Sequence, residues 1–340
     1  MLLLFRYKRL AAPESVFNRS VSCDISWPGY VTLSDEELQF PLAYIITAFQ
    51  DPRNLELTLA TIFRPHNSYC INIDPKSDFW FSESVKNILR CYKTKYSDTY
   101  ISSSSRPVSV FWGHFSIVEA ELNCMRDLLN NNLTWSYALD MAGSEVMMMT
   151  NKELVANISS YPNKIFTESF PLPKVNMLRI KYKYSYETPG KASKKIGLND
   201  PPPFNLKIYK GAKAWTAPRR FIEFLVHHPV ATIYLNWAKH TFVSDEHVIP
   251  TLARISETVS TGDQWSVRQD NVPEPRYHFQ LWWTNCRGVK RHGVCVFSLE
   301  DLSTIVKADC IRINKVISHL DPVIAECLRD AVRSRELREL

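Results

Sequence analysis

Nothing in these 340 residues approaches the roughly 18 consecutive apolar residues that a membrane-crossing helix requires. Met1-Leu-Leu-Leu-Phe5, followed by Arg6-Tyr-Lys8-Arg9, is too short an apolar block for a secretory leader of the usual layout; it is the remnant of a longer anchor or a plain start. Neither G-x-G-x-x-G nor G-x-x-x-x-G-K followed by Ser or Thr occurs, so neither the dinucleotide fingerprint nor a P-loop is supported. C-x-x-C and His/Cys ligand spacings are missing, which argues against a zinc site. A dense basic face is missing too. The net charge of +6 is mild and the Lys/Arg-rich stretch 174–195 is interleaved with Tyr and Pro, so no nucleic-acid partner is expected. With 45% hydrophobic and 22% charged residues the composition is that of an ordinary globular protein, without a disordered tract.

What is present is a chain long enough for one large domain or two fused lobes. Its eight cysteines include Cys286 and Cys295, which enclose a short segment with Gly288 and Gly293 and read as a small disulfide-closed loop. Sequons stand at Asn18, Asn132 and Asn157, and with the even cysteine count they favour the secretory pathway.

Residues 1–40 read as an irregular stem, punctuated by Pro13, Pro28 and Gly29. Leu42 to Phe49 is a continuous apolar run of strand length, suited to burial on both faces. A helix follows over Asn54 to Phe63, a strand over Tyr69 to Asp74 and a helix over Ser82 to Tyr92. Short strands are expected at Thr99 to Ile101 and Val108 to Trp112, then a helix from Ser116 to Leu129 and a strand from Tyr137 to Asp140. The alternation predicts an α/β fold with a mostly parallel central sheet flanked by helices. Ligands in such sheets gather beyond the carboxyl ends of the strands, which singles out Asp74, Asp140 and the turn Gly143-Ser144-Glu145. Residues 160–205 are loop-rich and basic, with Pro201-Pro-Pro203 as a stiff spacer; two helices close the chain.

Ser244-Asp245-Glu246 follows the apolar run Phe221 to Trp237 and has two readings. Ser244 can cap a new helix with the acids in its first turn, the commonplace arrangement. Alternatively Glu246 is held at a cleft as a general base. Spacing alone does not choose.

Several fragments occur in a shared order: Pro41-Leu-Ala-Tyr44, Tyr69-Cys-Ile-Asn-Ile-Asp74-Pro-Lys76-Ser77, Glu121-Leu-Asn-Cys124, Trp237-Ala, Ser244-Asp-Glu246, Val294-Cys-Val-Phe297, Asn314-Lys315, Asp321-Pro322 and Cys327-Leu328. In these the chain resembles the core-2/I-branching β-1,6-N-acetylglucosaminyltransferase family, related to the peptide xylosyltransferases, from about Cys23 to Cys327. The resemblance implies a type A-like nucleotide-sugar fold, with a stem remnant at 1–40, one catalytic domain over 41–330 and a tail at 331–340. It implies an inverting, metal-independent transfer of GlcNAc from UDP-GlcNAc to a 6-hydroxyl of GalNAc or galactose on a glycan or glycoprotein acceptor, with no cofactor. It further implies a Golgi-lumen enzyme of a type II membrane family, joined to the membrane only through an N-terminal anchor not evident in this chain; a secreted form is the other possibility.

By the same resemblance Glu246 is the general base, and Lys315 falls on the family's diphosphate-binding lysine. No D-x-D is present, and only Asp35-Glu-Glu37 approximates one. The second diphosphate cation aligns with His292, so either Arg291 substitutes for it or His292 makes the clamp pH-sensitive. Asp74 and Glu145 are donor-site candidates. Glu168, Lys174, Arg179, Trp282 and Trp283 are candidates for acceptor binding. Cys23–Cys327 and Cys286–Cys295 follow the family's disulfides. Cys70 loses its usual mate at Ala142 and Cys124 one near Asn157; the pairing of Cys70, Cys91, Cys124 and Cys310 stays open, with a rewired Cys70–Cys124 or free thiols among the options. The altered donor turn, Ala142-Gly-Ser-Glu145, and the altered cation clamp keep in view a weakened homologue that binds glycan or nucleotide without turnover; a UDP-xylose-dependent protein xylosyltransferase is a third, narrower reading.

Overall fold

A computed structural model describes residues 33–185, 194–255, 265–267, 276–280, 286–291, 293–308 and 310–339. Its strands in chain order are β1 (Leu42–Ala48), β2 (Ser68–Ile73), β3 (Ile101–Ser103), β4 (Tyr137–Ala142), β5 (Glu145–Met147), β6 (Lys164–Thr167), β7 (Phe170–Pro171) and β8 (Tyr182–Ser185). They continue as β9 (Lys194–Leu198), β10 (Tyr209–Lys210), β11 (Trp215–Pro218), β12 (Ser266–Val267), β13 (Arg276–Phe279), β14 (Lys290–Arg291), β15 (Val294–Cys295) and β16 (Cys310–Asn314). The helices are α1 (Asp35–Gln39), α2 (Pro52–Ile62), α3 (Phe79–Lys95), α4 (Ser116–Asn130), α5 (Asn151–Ser159), α6 (Leu178–Lys181), α7 (Arg219–His227), α8 (Pro229–Ala238), α9 (Val248–Leu252), α10 (Leu302–Val306) and α11 (Pro322–Glu336).

The main sheet has seven strands in the order β12-β6-β11-β4-β1-β2-β3. All its pairings are parallel except those of β11, which runs against both β4 and β6. Within it β1 lies between β4 and β2 and is buried at all but one position. Alternate side chains enter different cores, as the two-residue period of a strand demands. Ala43 and Ile45 pack with Val118 and Leu122 of α4, Phe221 of α7 and Tyr234 of α8. Leu42, Tyr44 and Ile46 pack with Leu55 and Leu59 of α2, Val85 and Ile88 of α3 and Leu154 of α5. The apolar run of β1 therefore has the two-sided cover that such a run needs. The expected α/β class and mostly parallel sheet are found.

A smaller sheet, β13-β16-β5, leans on α11. That helix continues through Glu336, with Val332 and Glu336 buried and Glu336 paired with the buried Arg64 of the segment after α2. Residues 331–336 are thus the last turns of a packed helix, not a separate tail. At the other end, residues 35–39 form a capped helix whose buried Glu37 accepts from Asn151 Nδ2 at 2.7 Å, so this end of the expected stem is anchored.

The strand expected over Val108 to Trp112 does not form. Side chains at the end of β2 capture that backbone instead: Val108 N donates to Asn72 Oδ1 at 2.8 Å and Val110 N to Asp74 Oδ2 at 3.1 Å. Cys70 pairs with Cys124, joining β2 to α4, and Cys286 pairs with Cys295 as expected. Cys91 is also disulfide-bonded. Cys327 on α11 carries no disulfide, which corrects the expected Cys23–Cys327 bridge; Cys23 and Asn18 lie outside the described residues. Asn132 is exposed and Asn157 half-buried. Among the described residues no helix is long and apolar enough to cross a membrane.

Candidate active site

The carboxyl ends of β1, β4 and β6 open on one edge of the main sheet. Because β11 runs the other way, the residues just before it, Lys210 to Lys213, reach the same edge. Ser244–Glu246 forms a 3₁₀ turn there, and the following helix starts only at Val248. Ser244 is not a cap: its hydroxyl is buried without a partner and makes no capping bond. Val243 enters the turn in the left-handed region at φ 55°, strained for a β-branched residue, and its N–H donates to Gly113 O at 2.8 Å.

The turn presents Glu246 to two cations. Its Oε2 takes Arg179 Nη1 at 2.5 Å and Lys210 Nζ at 3.1 Å. Oε1 has no partner among the described residues, and the side chain is 26% exposed, so one oxygen is held while the other is open to a hydroxyl. The amide oxygen of Asn176, turned to accept, receives Arg179 Nη2 and Nε at 3.1 Å each and fixes the guanidinium plane. The backbone at 211–212 ties in a second acid. Gly211 N donates to Glu246 O at 2.8 Å and Ala212 N to Glu168 Oε2 at 3.1 Å. A Cβ on Gly211 would stand 1.9 Å from Glu168 O, so only glycine fits.

Behind the turn lies a buried charge network. Lys213 Nζ pairs with Asp140 Oδ2 at 2.8 Å and Glu121 Oε1 at 2.7 Å, and Arg312 Nη2 pairs with Asp140 Oδ1 at 3.1 Å. Burial works against the Lys213 charge, but Asp140, Glu121 and Glu145 together raise its pKa. Burial likewise raises the carboxyl of Glu121, against the pull of Lys213. Asp245 is pushed up to about 7 by burial and by Glu246, with Lys213 opposing. His247 is lowered to about 3 by burial and Arg179; its neutral ring is held by Tyr234 Oη at 3.0 Å and Thr241 Oγ1 at 2.8 Å.

On the same edge a hollow of about 220 Å³ opens between the ends of β1 and β4, lined among others by Thr47, Gly143, Ser144, Arg291 and Lys315. Its walls are tied together. Asp51, which caps α2 in the left-handed region, accepts from Ser318 N at 2.6 Å and Oγ at 2.5 Å; Val316 N donates to Ser144 O at 2.8 Å. A Cβ on Gly143 would meet Ala48 Cβ at 2.9 Å, so the turn lies close against β1. Burial and the neighbouring Arg291 lower the pKa of Lys315, with Glu145 opposing. Two cations facing a hollow on the carboxyl edge give it the charge that suits an anion.

Comparison with known proteins gives the family of the chain. The model of the core-2/I-branching enzyme family matches residues 42–306, more than three quarters of the chain. The chain belongs to the core-2/I-branching enzyme family. It is a glycosyltransferase by class. Sheep β-1,3-galactosyl-O-glycosyl-glycoprotein β-1,6-N-acetylglucosaminyltransferase 3 is 29% identical over 327 residues, covering 90% of this chain and 70% of its own. Mouse N-acetyllactosaminide β-1,6-N-acetylglucosaminyl-transferase is 29% identical over 316 residues, covering 91% and 77%. Among solved structures, mouse xyloside xylosyltransferase 1 aligns over 82% of this chain and 95% of its own, at 11% identity and a TM-score of 0.37, too distant to inform the site.

Within this branching-enzyme chain, Glu246, Arg179 and Glu168 come together around residues 210–212, while Lys315 and Arg291 share the hollow. Lys174 is exposed and has no ion pair among the described residues. Asp74 and Glu145 do not line the hollow, and their carboxylates turn inward. Asp74 binds Lys76 and the Val110 N–H; Glu145 accepts from Ala142 N at 3.1 Å and pairs with Arg312 at 3.6 Å. Their part is to hold the edge together. His292, Trp282 and Trp283 lie outside the described residues. Sequence reading missed Lys210, Lys213, Asn176 and Asp51. Only Gly211, between two lysines, marked the first pair.

Proposed function

We propose that the chain is an inverting glycosyltransferase that moves GlcNAc from UDP-GlcNAc to a 6-hydroxyl of GalNAc or galactose on an O-glycan, with Glu246 as general base and without a metal. One observation carries the reading: a half-buried carboxylate with one oxygen unpaired among the described residues and a cation-lined hollow share the carboxyl edge of one sheet. A sugar hydroxyl is a poor nucleophile, and Oε1 of Glu246 taking its proton during attack lowers the barrier. Arg179 and Lys210 aim the carboxylate through Oε2. The hydroxyl oxygen bonds to the anomeric carbon as the bond to the UDP oxygen breaks, so one displacement inverts that centre. Lys315 and Arg291 neutralise the departing diphosphate in the role a bound cation would otherwise fill. At about 220 Å³ the hollow is below the ~300–1,000 Å³ usual for drug-sized ligands, a size that suits the diphosphate portion alone. Names of the relatives support the donor and the linkage. Two disulfides on separate elements favour an oxidising compartment such as the Golgi lumen.

The test is incubation of purified protein with UDP-GlcNAc and Gal-β-1,3-GalNAc in EDTA, with linkage analysis of the product. A β-1,6-branched trisaccharide is expected. Turnover only with UDP-xylose and a peptide, or UDP binding without any transfer, overturns the reading.

A further inference from the structure

The net charge of the chain is concentrated in one place. Between Lys174 and Lys195 seven Lys and Arg residues stand against Glu187 alone, a surplus that equals the +6 of the whole sequence. The remainder of the chain is electrically balanced. In the fold residues 179–184 of this stretch border the turn that carries Glu246. Arg179 binds Glu246 directly, Phe242 N donates to Arg179 O at 2.9 Å, and Tyr184 N donates to His240 O at 2.8 Å. Tyr184 also stacks on Phe242 at 5.3 Å, which packs β8 against the segment leading into the base.

Four of these charges, on Lys174, Lys181, Lys194 and Lys195, face outward. β9 is exposed at every position and Lys181 is exposed. Lys195 and Lys181 stand 4.5 and 5.8 Å from the same Tyr182 ring. Lys183 pairs with Asp200, whereas Lys181, Lys194 and Lys195 form no ion pair among the described residues. A surface kept only for solubility needs neither one sign of charge nor this position beside the base. Like charges crowded on one ribbon repel each other, and a ligand of opposite sign removes that repulsion.

We infer that the β8–β9 ribbon is an acceptor subsite that reads negative charge: it holds a sulfate or carboxylate of an acidic acceptor glycoprotein while Glu246 addresses the sugar hydroxyl. The inference rests on the proposed transferase reading and adds the acceptor class.

The test compares three glycopeptides bearing Gal-β-1,3-GalNAc: one neutral, one with a sulfated galactose, and one flanked by Asp and Glu residues. Binding and turnover are measured separately for the wild type and for Lys181→Ala/Lys194→Ala/Lys195→Ala, in 50 and 500 mM NaCl. In the wild type at low salt, one acidic glycopeptide should exceed the neutral one in kcat/KM by about tenfold, the scale of three exposed charge contacts. The triple variant should lose that advantage through KM, with kcat and the neutral acceptor unchanged, and high salt should erase it in the wild type. Whichever acidic probe shows the effect identifies the source of the charge. Equal losses on all three acceptors, no preference in the wild type, or variant-sensitive binding to anionic lipid vesicles alone would overturn the inference. Absence of transfer with acidic binding retained defeats only the transferase reading; transfer indifferent to acceptor charge defeats only the subsite.

Discussion

Lys213→Met should destabilise the protein in a way that depends on pH. The substitution keeps most of the side-chain volume and removes the one ammonium shared by Asp140 and Glu121, whose carboxylates are 2% and 4% exposed. Stranding buried charge in this way costs about 3–5 kcal/mol in general. Arg312 still holds Asp140 at 3.1 Å and Lys213 is itself 28% exposed, so the lower end, about 3 kcal/mol, applies. With an unfolding entropy of ~2.1 cal/mol/K per residue, that lowers the melting temperature by about 4 °C. Glu121 is already raised by burial, and without Lys213 it rises further. A carboxyl whose folded pKa exceeds its unfolded one contributes stability that is present below the unfolded pKa and is lost as pH rises through the folded pKa. The penalty should therefore be small near pH 5 and grow towards pH 8, as followed by thermal melts in a pH series. A loss under about 1 kcal/mol that stays flat with pH would refute the claim that Lys213 neutralises this pair.

Asp245→Asn should act in the opposite direction. The raised carboxyl of Asp245, at about 7, withdraws stability as pH climbs from about 4 through 7, so the variant should gain up to about 4 kcal/mol over wild type at pH 8 and little near pH 4 in denaturant titrations. His247, held neutral with its pKa near 3, contributes stability that is full above about 6.5 and is lost as pH falls; His247→Gln should flatten the acid limb of the same curve, and an unchanged limb would count against the assignment. Gly211→Ala should lower kcat by about tenfold or more, since the new methyl would push Glu168 away from the turn; activity within twofold of wild type would contradict that crowding. Removing Cys70–Cys124, which closes a span of 54 residues, should cost about 2–4 kcal/mol, and non-reducing peptide mapping should recover that crosslink with Cys327 open to alkylation.

Much of the scaffold was readable because its signals are local. β1 is an apolar run of strand length, β2 is a short, mostly apolar stretch, and α2, α3 and α4 repeat their apolar residues at helical spacing, so position along the chain was enough. Where side chains replace backbone partners the reading failed. Val108 to Trp112 has the composition of a strand, but Asn72 and Asp74 take its N–H groups. Ser244 has the chemistry of a cap, but Val243 enters in the left-handed region and turns the segment into a 3₁₀ turn. At the site, Glu246, Lys315 and Arg291 were named through family resemblance, not through periodicity. Lys210 and Lys213 stayed hidden because the partners of Lys213 are 73 and more residues away and no spacing rule links them. Arg179 was named, but that it grips the base itself required the fold.

The most direct measurement pairs transfer kinetics with UDP titration for Glu246→Gln and Lys315→Ala. Glu246→Gln should lose on the order of a hundredfold or more in rate while binding UDP like the wild type, because it removes the proton acceptor and leaves the cation-lined hollow intact. Lys315→Ala should bind UDP about tenfold or more weakly. Near-normal transfer by Glu246→Gln, or unaltered UDP affinity in Lys315→Ala, would contradict the assignment of base and diphosphate clamp to this edge of the sheet.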